Sequence, residues 1–241
     1  MRIYMDAHEA FEEIKRDLAE MGIWVKPKTM QDKVIEGDAN YETTELQNYC
    51  YTILNATSSG VPGVEKPWAD LEFAERIHDP FLRGEDGELL SSPLFINPGE
   101  AWKARSEVWE EFMHDGKMGY TYNELIWNND QFTKVVNRLG EDPDSRQLWI
   151  SLWDPTRDPD LLGGVSRVPC SLGYGLQVRN GKLNLHYVMR SCDFSTHFAN
   201  DVYLAIRMLE HISHMTNYPV GNFTHTIFSL HVYRKDLENV F

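Results

Sequence analysis

A cysteine, an arginine and two aspartates fall close together in the second half of this chain. They are Cys170 after Pro169, Arg190 and Asp193 in the run RSCD with Ser191 between them, and Asp201 eight residues further on. A cysteine becomes a nucleophile when a neighbouring cation lowers its thiol pKa, and an arginine also grips phosphate through paired N–H donors. Cys170 stands at the start of one predicted strand and Arg190 at the end of the next. The segment GLQVRNGKLNLHYVMRS joins them through Asn180-Gly181, the pair that a two-residue turn with positive φ favours. If that hairpin forms, the two side chains become neighbours. By residue type alone, the ordinary reading of Cys170 is a small buried hydrophobe, and that of Arg146, in EDPDSRQ, a solvated loop arginine. His231 and Tyr233 alternate on one strand face, which suits ligand contact or ordinary packing. His211 and His214 (EHISH) are three apart on a helix without a third ligand at a recognisable spacing, so they read as helix surface and packing, and no metal is expected.

These residues need a frame. At 241 residues the chain is long enough for one large domain with a substantial core, and a single domain over residues 1–241 is expected. Hydrophobic content of 42% and aromatic content of 12% are those of a folded globular protein. A net charge of −14 argues against duplex DNA as the main partner, yet leaves room for a small phosphorylated ligand held by a few local cations. Three cysteines, Cys50, Cys170 and Cys192, are too few and too scattered for a disulfide framework or a zinc site, so reduced thiols are expected. The N-terminal MRIYMDAHEAFEEIKRD has no long apolar run, which predicts a soluble, cytoplasmic protein with no membrane partner.

Helical spacing of Phe11, Ile14, Leu18 and Met21 predicts a helix from Asp6 to Met21, stopped at Gly22. TELQNYCYTIL (44–54) reads as a strand followed by the turn-rich ATSSGVPGVEKP. Helices are predicted over 68–78, over 99–114 with Trp102, Val108, Trp109 and Phe112 on one face, and over 130–139 with Gly140 as the stop. RQLWISLW (146–153) and FTHTIFSLHVY (223–233) read as strands, and Phe198, Val202, Ala205, Leu209 and Ile212 mark a buried helix. Helices interspersed with hairpins predict an α+β domain.

From about residue 100 to the C-terminus, five segments in order resemble the thymidylate synthase family: GYTYNELIW (119–127), DPDSR (142–146), VPC (168–170), RSCD (190–193) and SLHVY (229–233). EVWEEF (107–112) resembles the family's tryptophan-containing segment. The resemblance implies a mixed β-sheet with flanking helices and a homodimer. It implies that Cys170 adds to C6 of a pyrimidine nucleotide, so that C5 attacks a one-carbon unit from 5,10-methylenetetrahydrofolate, the co-substrate. By the same resemblance Arg190 and Ser191 bind the 5′-phosphate, Arg146 reaches it from the partner subunit, and Lys28 in KPKT is a further N-terminal cation. His231 and Tyr233 hold the sugar hydroxyl, Asp193 binds the pterin, Trp109 lines the folate pocket, and Tyr122 belongs to the proton-transfer network. An early helix should add a carboxylate; WADLEFAERIHDP offers Asp70, Glu72 and Glu75, of which Glu75 is preferred.

Three departures stand out. Ser171 and Gln147 occupy positions where synthases usually carry histidine and a second arginine, and Asp201 occupies the base-reading position where they carry asparagine. An asparagine amide suits uracil, accepting from N3–H and donating to O4, whereas a carboxyl suits cytosine, accepting from N4–H and sharing a proton with N3. The Asn200-Asp201 pair and SLHVY resemble the deoxycytidylate hydroxymethylases of bacteriophages, a setting in which modified DNA precursors are made. The expectation is a deoxycytidylate (dCMP) 5-hydroxymethyltransferase. Its rivals are a dCMP 5-methyltransferase, a CMP hydroxymethylase, a uracil-specific synthase or hydroxymethylase, and a catalytically silent binding protein. The choice of base turns on whether Asp201 or Asn200 faces the site.

Overall fold

A computed structural model describes residues 1–30, 33–90, 99–105, 110, 113–162 and 167–241. Its frame is a seven-stranded mixed sheet. The strands are β1 (Arg2–Tyr4), β2 (Ile23–Val25), β5 (Thr43–Ile53), β8 (Trp149–Ser151), β9 (Ser171–Arg179), β10 (Lys182–Asp193) and β11 (Val220–Tyr233), while β3 (Thr29–Met30) with β4 (Lys33–Val34) and β6 (Met113–His114) with β7 (Lys117–Met118) form small ribbons. The sheet runs β1-β5-β11-β10-β9-β8, and β2 also pairs with β5. The two long strands β10 and β11 are parallel, and the crossover between them is a long helix over Phe198–Thr216, whose Phe198, Val202, Ala205, Leu209 and Ile212 are all fully buried. A parallel pair needs such a crossover, and a helix packed on the sheet supplies it.

Local chemistry explains the other elements. Helix α1 (Ala7–Met21) is capped by Asp6, whose side chain accepts from the Glu9 N–H at 2.9 Å, and it buries Ala10, Ile14 and Leu18. The β9–β10 turn has Asn180 and Gly181 at φ 53° and 71°, as the Asn-Gly pair predicts. Helices α2 (Lys66–Ile77), α3 (Glu100–Ala104), α4 (Tyr122–Trp127) and α5 (Gln131–Glu141) follow in order, then α6 (Phe198–Thr216) and the short α7 (Leu237–Val240).

One irregularity shapes the site. A regular strand turns every second side chain inward, but the interval lengthens to three at one level of three adjacent strands. The inward residues are Leu46 and Tyr49 on β5, Leu230 and Ile227 on β11, and Cys192 and Met189 on β10; all are buried, and they match across the register. Asn48 sits in this step at φ 51°. The displaced strand ends carry Glu45, Ser191, Asp193, Ser229 and His231, and all five line one cavity.

Several boundaries differ from expectation. Of the predicted helix over 99–114, Glu100–Ala104 is helical, while its end, Met113–His114, is strand, because Asp115 and Gly116 at positive φ turn β6 back onto β7. Val108, Trp109 and Phe112 lie outside the described residues. Gly140 falls inside the last turn of α5, which closes at Asp142 through its N–H bond to the Arg138 carbonyl at 2.8 Å. Gly173 is required where it is: an added Cβ would meet the Trp149 ring at 2.3 Å and the Ile150 carbonyl oxygen at 2.5 Å. No helix among the described residues is long and apolar enough to cross a membrane.

Candidate active site

The hairpin brings Cys170 and Arg190 together as its topology requires. The Arg190 N–H donates to the Cys170 carbonyl at 2.8 Å, its Nε to the Pro169 carbonyl at 2.8 Å and its Nη2 to the Val168 carbonyl at 3.0 Å, which leaves Nη2 3.8 Å from Cys170 Sγ. The guanidinium therefore fixes the backbone leading into β9 and places a positive charge beside the thiol, an arrangement that favours thiolate. Both side chains line a cavity of about 470 Å³.

Asp201 lines the same cavity, with its Oδ2 accepting from Cys192 Sγ at 3.6 Å. Burial raises its pKa above the usual carboxylate range, with His197 and Arg76 opposing the shift. Asn200 is buried elsewhere: its Oδ1 accepts from the Glu65 N–H at 3.0 Å, just ahead of α2.

Helix α2 supplies a carboxylate, but it is Glu72. Glu72 and Arg76 form a buried i,i+4 pair at 2.8 Å in the cavity wall, and the Arg76 guanidinium lies 4.3 Å from the Tyr122 ring centroid. Glu75, the sequence preference, instead accepts from the Ala101 N–H at 2.8 Å in the first turn of α3 and does not line the cavity. Asp70 pairs with Lys66 at 2.9 Å and is likewise absent from the wall. The four-residue spacing from Glu72 to Arg76 lets a carboxylate enter a buried wall with its counter-charge; Lys66 and Asp70 share that spacing but stay exposed, so burial and not spacing separates the two pairs.

At the displaced strand ends, Asp193, His231 and Glu45 are register partners across β10, β11 and β5. Ser229 Oγ donates to Glu45 at 2.5 Å, and the His231 and Tyr233 rings meet edge-on at 5.1 Å. Burial lowers the His231 pKa, which keeps the ring neutral, and raises that of Tyr233. Asp193 accepts from the Ser195 N–H at 3.0 Å and hydroxyl at 2.7 Å. Glu45 was not singled out in the sequence, where it is one carboxylate among 37 acidic residues.

Trp68, Trp102 and Tyr120 make another part of the lining aromatic. Arg105 stacks on Trp68 at 4.1 Å, and Arg167 on Tyr120 at 4.9 Å and Trp102 at 5.5 Å. Such a wall suits a flat heteroaromatic ligand.

Two cations lie outside this cavity: Lys28, which was expected in it, and Arg146, whose expected place is the partner's site. Lys28 is three-quarters exposed, with Nζ 3.0 Å from Glu36, while Lys33 and Lys235 line the wall instead. Lys28 sits beyond the short β2 strand, where its long side chain follows solvent and a carboxylate. Arg146 lies beside the outer sheet face, in a separate concavity lined by Trp149, Gly175, His186 and Thr224.

The profile of the family described as thymidylate synthase matches residues 100–241. Among similar proteins, a thymidylate synthase of Clostridium beijerinckii is 27% identical over 135 residues, 56% of this chain and 50% of that protein. A putative thymidylate synthase of Methanosarcina acetivorans is 31% identical over 125 residues, 50% of this chain and 56% of its own. The chain thus spans about half the length of the curated relatives it matches. The thermostable thymidylate synthase A of Bacillus subtilis has the same fold, with a TM-score of 0.71 at 20% identity over 98% of this chain and 82% of that one. Sequence over more than half the chain and fold over nearly all of it agree: the chain belongs to the thymidylate synthase family.

Proposed function

We propose that this protein is a deoxycytidylate 5-hydroxymethyltransferase. The observation that carries the reading is that Asp201 lines the cavity with Cys170 while Asn200 is committed to Glu65. A carboxyl with a raised pKa can accept from the cytosine N4–H and give a proton to N3; an amide can turn to match those hydrogen bonds but has no proton to transfer to N3.

In this reading Cys170 thiolate attacks C6, and negative charge spreads over the ring towards N3, where Asp201 stabilises it. Arg190 and Ser191 bind the 5′-phosphate, and Arg146 reaches that phosphate from the partner subunit of a homodimer. His231 and Tyr233 hold the sugar hydroxyl. Asp193 and the aromatic wall of Trp68, Trp102 and Tyr120 fit a pterin, which presents adjacent N–H donors on a flat ring. Methylenetetrahydrofolate, when bound as co-substrate, supplies the one-carbon unit. Glu72, with Arg76, replaces Glu75 as the carboxylate that organises water at the base. In the last step water adds to the methylene carbon on C5, the C6–S bond breaks, its electron pair returns to Cys170, and the water loses one proton.

The test is the mass of the product formed from dCMP, dUMP and CMP with methylenetetrahydrofolate. A gain of one CH2O unit on dCMP is expected, and none with Cys170→Ala, which should still bind nucleotide. A gain of one CH2 unit would make the protein a methyltransferase; turnover of dUMP but not dCMP would overturn the role of Asp201.

A further inference from the structure

Next to Cys170 lies a buried run of three hydroxyls, those of Tyr187, Ser171 and Tyr122. Ser171 is fully buried; its Oγ donates to the Tyr122 hydroxyl at 3.2 Å, and its N–H faces the same oxygen at 3.5 Å. The other partner of Ser171 Oγ is the Tyr187 hydroxyl. A serine hydroxyl has one proton to give and lone pairs to receive with. When that proton goes to Tyr122, the contact with Tyr187, in which either oxygen can donate, is completed by the Tyr187 proton. Ser171 thus directs two donors, its N–H and its hydroxyl, at the Tyr122 oxygen, so the Tyr122 proton points away from Ser171, towards the Tyr120 hydroxyl or the cavity that both tyrosines line.

The end members of the run are held in place. The Tyr187 ring is fully buried and stacked between Tyr174, 5.0 Å away at 26°, and His225, 4.8 Å away at 14°. Tyr122 is held between the Arg76 guanidinium and the edge of Tyr120, 5.8 Å away. Burial raises the pKa of both Tyr122 and Tyr187, so the run stays protonated through neutral pH.

We propose that Ser171 and Tyr187 are positioning residues that hold the Tyr122 hydroxyl as a hydrogen-bond donor into the site, so that Tyr122 gives a hydrogen bond to the group acting at C5 and does not receive the proton that leaves it. This rests on the functional reading above and adds to it which way the Tyr122 proton points. The residues concerned are absent from the roles assigned to phosphate, sugar, base and pterin, and a serine directly after a nucleophile gives no sign in sequence of a partner sixteen residues away.

Removing the Tyr187 hydroxyl frees Ser171 to accept instead of donate, and the bias on Tyr122 is lost. The experiment follows release of the C5 hydrogen of labelled dCMP in the wild type, Tyr187→Phe, Ser171→Ala and, as a control, Tyr4→Phe, whose buried hydroxyl pairs with Tyr49 away from the cavity, with melting temperature measured for each. Expected is a fall in kcat of about tenfold for Tyr187→Phe and Ser171→Ala, the scale of one oriented hydrogen bond in a transition state, with KM for the nucleotide within about twofold. Tyr4→Phe should keep its kcat. An unchanged kcat in both hydroxyl variants, or an equal fall in Tyr4→Phe, overturns the proposal while leaving the functional reading intact. If the wild type releases no C5 hydrogen from dCMP, dUMP or CMP, the functional reading fails and the proposal with it.

Discussion

Asn200 and Asp201 are consecutive in α6 yet serve different surroundings: the Asn200 amide accepts from the Glu65 N–H, and the Asp201 carboxyl lines the cavity beside Cys192. Successive helical residues are roughly 100° apart, so only one of the two can face a given ligand. Asp201→Asn should therefore move preference from dCMP towards dUMP. A site built for one hydrogen-bond pattern rejects the reversed pattern strongly, and a change of at least about a hundredfold in the ratio of kcat/KM values is expected. Steady-state kinetics on both nucleotides checks this; an unchanged ratio would mean that Asp201 does not read the base.

The same substitution should change stability with pH. Burial raises the folded-state pKa of Asp201, so the folded protein holds this proton more tightly than the unfolded chain. Below the unfolded value of about 4 the group is protonated in both states and costs nothing. As pH rises through the folded pKa, the wild type loses stability that an asparagine retains. Asp201→Asn should have the higher urea midpoint at pH 7, and its advantage should shrink towards pH 4. A pH-independent difference would count against this account.

Glu72 and Glu75 separate by their neighbours. Glu72→Gln leaves Arg76 buried without its counter-charge, a change that costs about 3–5 kcal/mol in comparable buried pairs, and should also lower activity. Glu75→Gln keeps an acceptor for the Ala101 N–H and should change both much less. Chemical denaturation and turnover of the two variants give the comparison; the opposite ranking would return the carboxylate role to Glu75.

Arg146 tests the dimer. If it serves the partner's phosphate site, mixing inactive Cys170→Ala with weakly active Arg146→Ala subunits regenerates one intact site in each heterodimer, restoring roughly a quarter of wild-type activity after random reassortment. No recovery, in subunits shown to exchange, would place Arg146 outside any shared site.

What could be read in the sequence was what depends on neighbours along the chain. The Asn180-Gly181 turn, the inward face of Phe198 to Ile212 and the Asp6 start of α1 follow from local φ preference, helical period and capping, and each appears as expected. The hairpin register then put Cys170 against Arg190, because an antiparallel pair brings the start of one strand to the end of the other. Tertiary structure alone decided the rest. The three-residue step shared by β5, β10 and β11 gathers Glu45, Asp193 and His231 from strands distant in sequence, and no single strand contains that information. The choice of Glu72 over Glu75 depends on α3 capturing one of two carboxylates on the same helix, and the choice of Asp201 over Asn200 on which way α6 is turned when its apolar face meets the sheet. Those are properties of packing: a one-residue rotation of a helix leaves its sequence pattern almost unchanged and exchanges one side chain in the site for another.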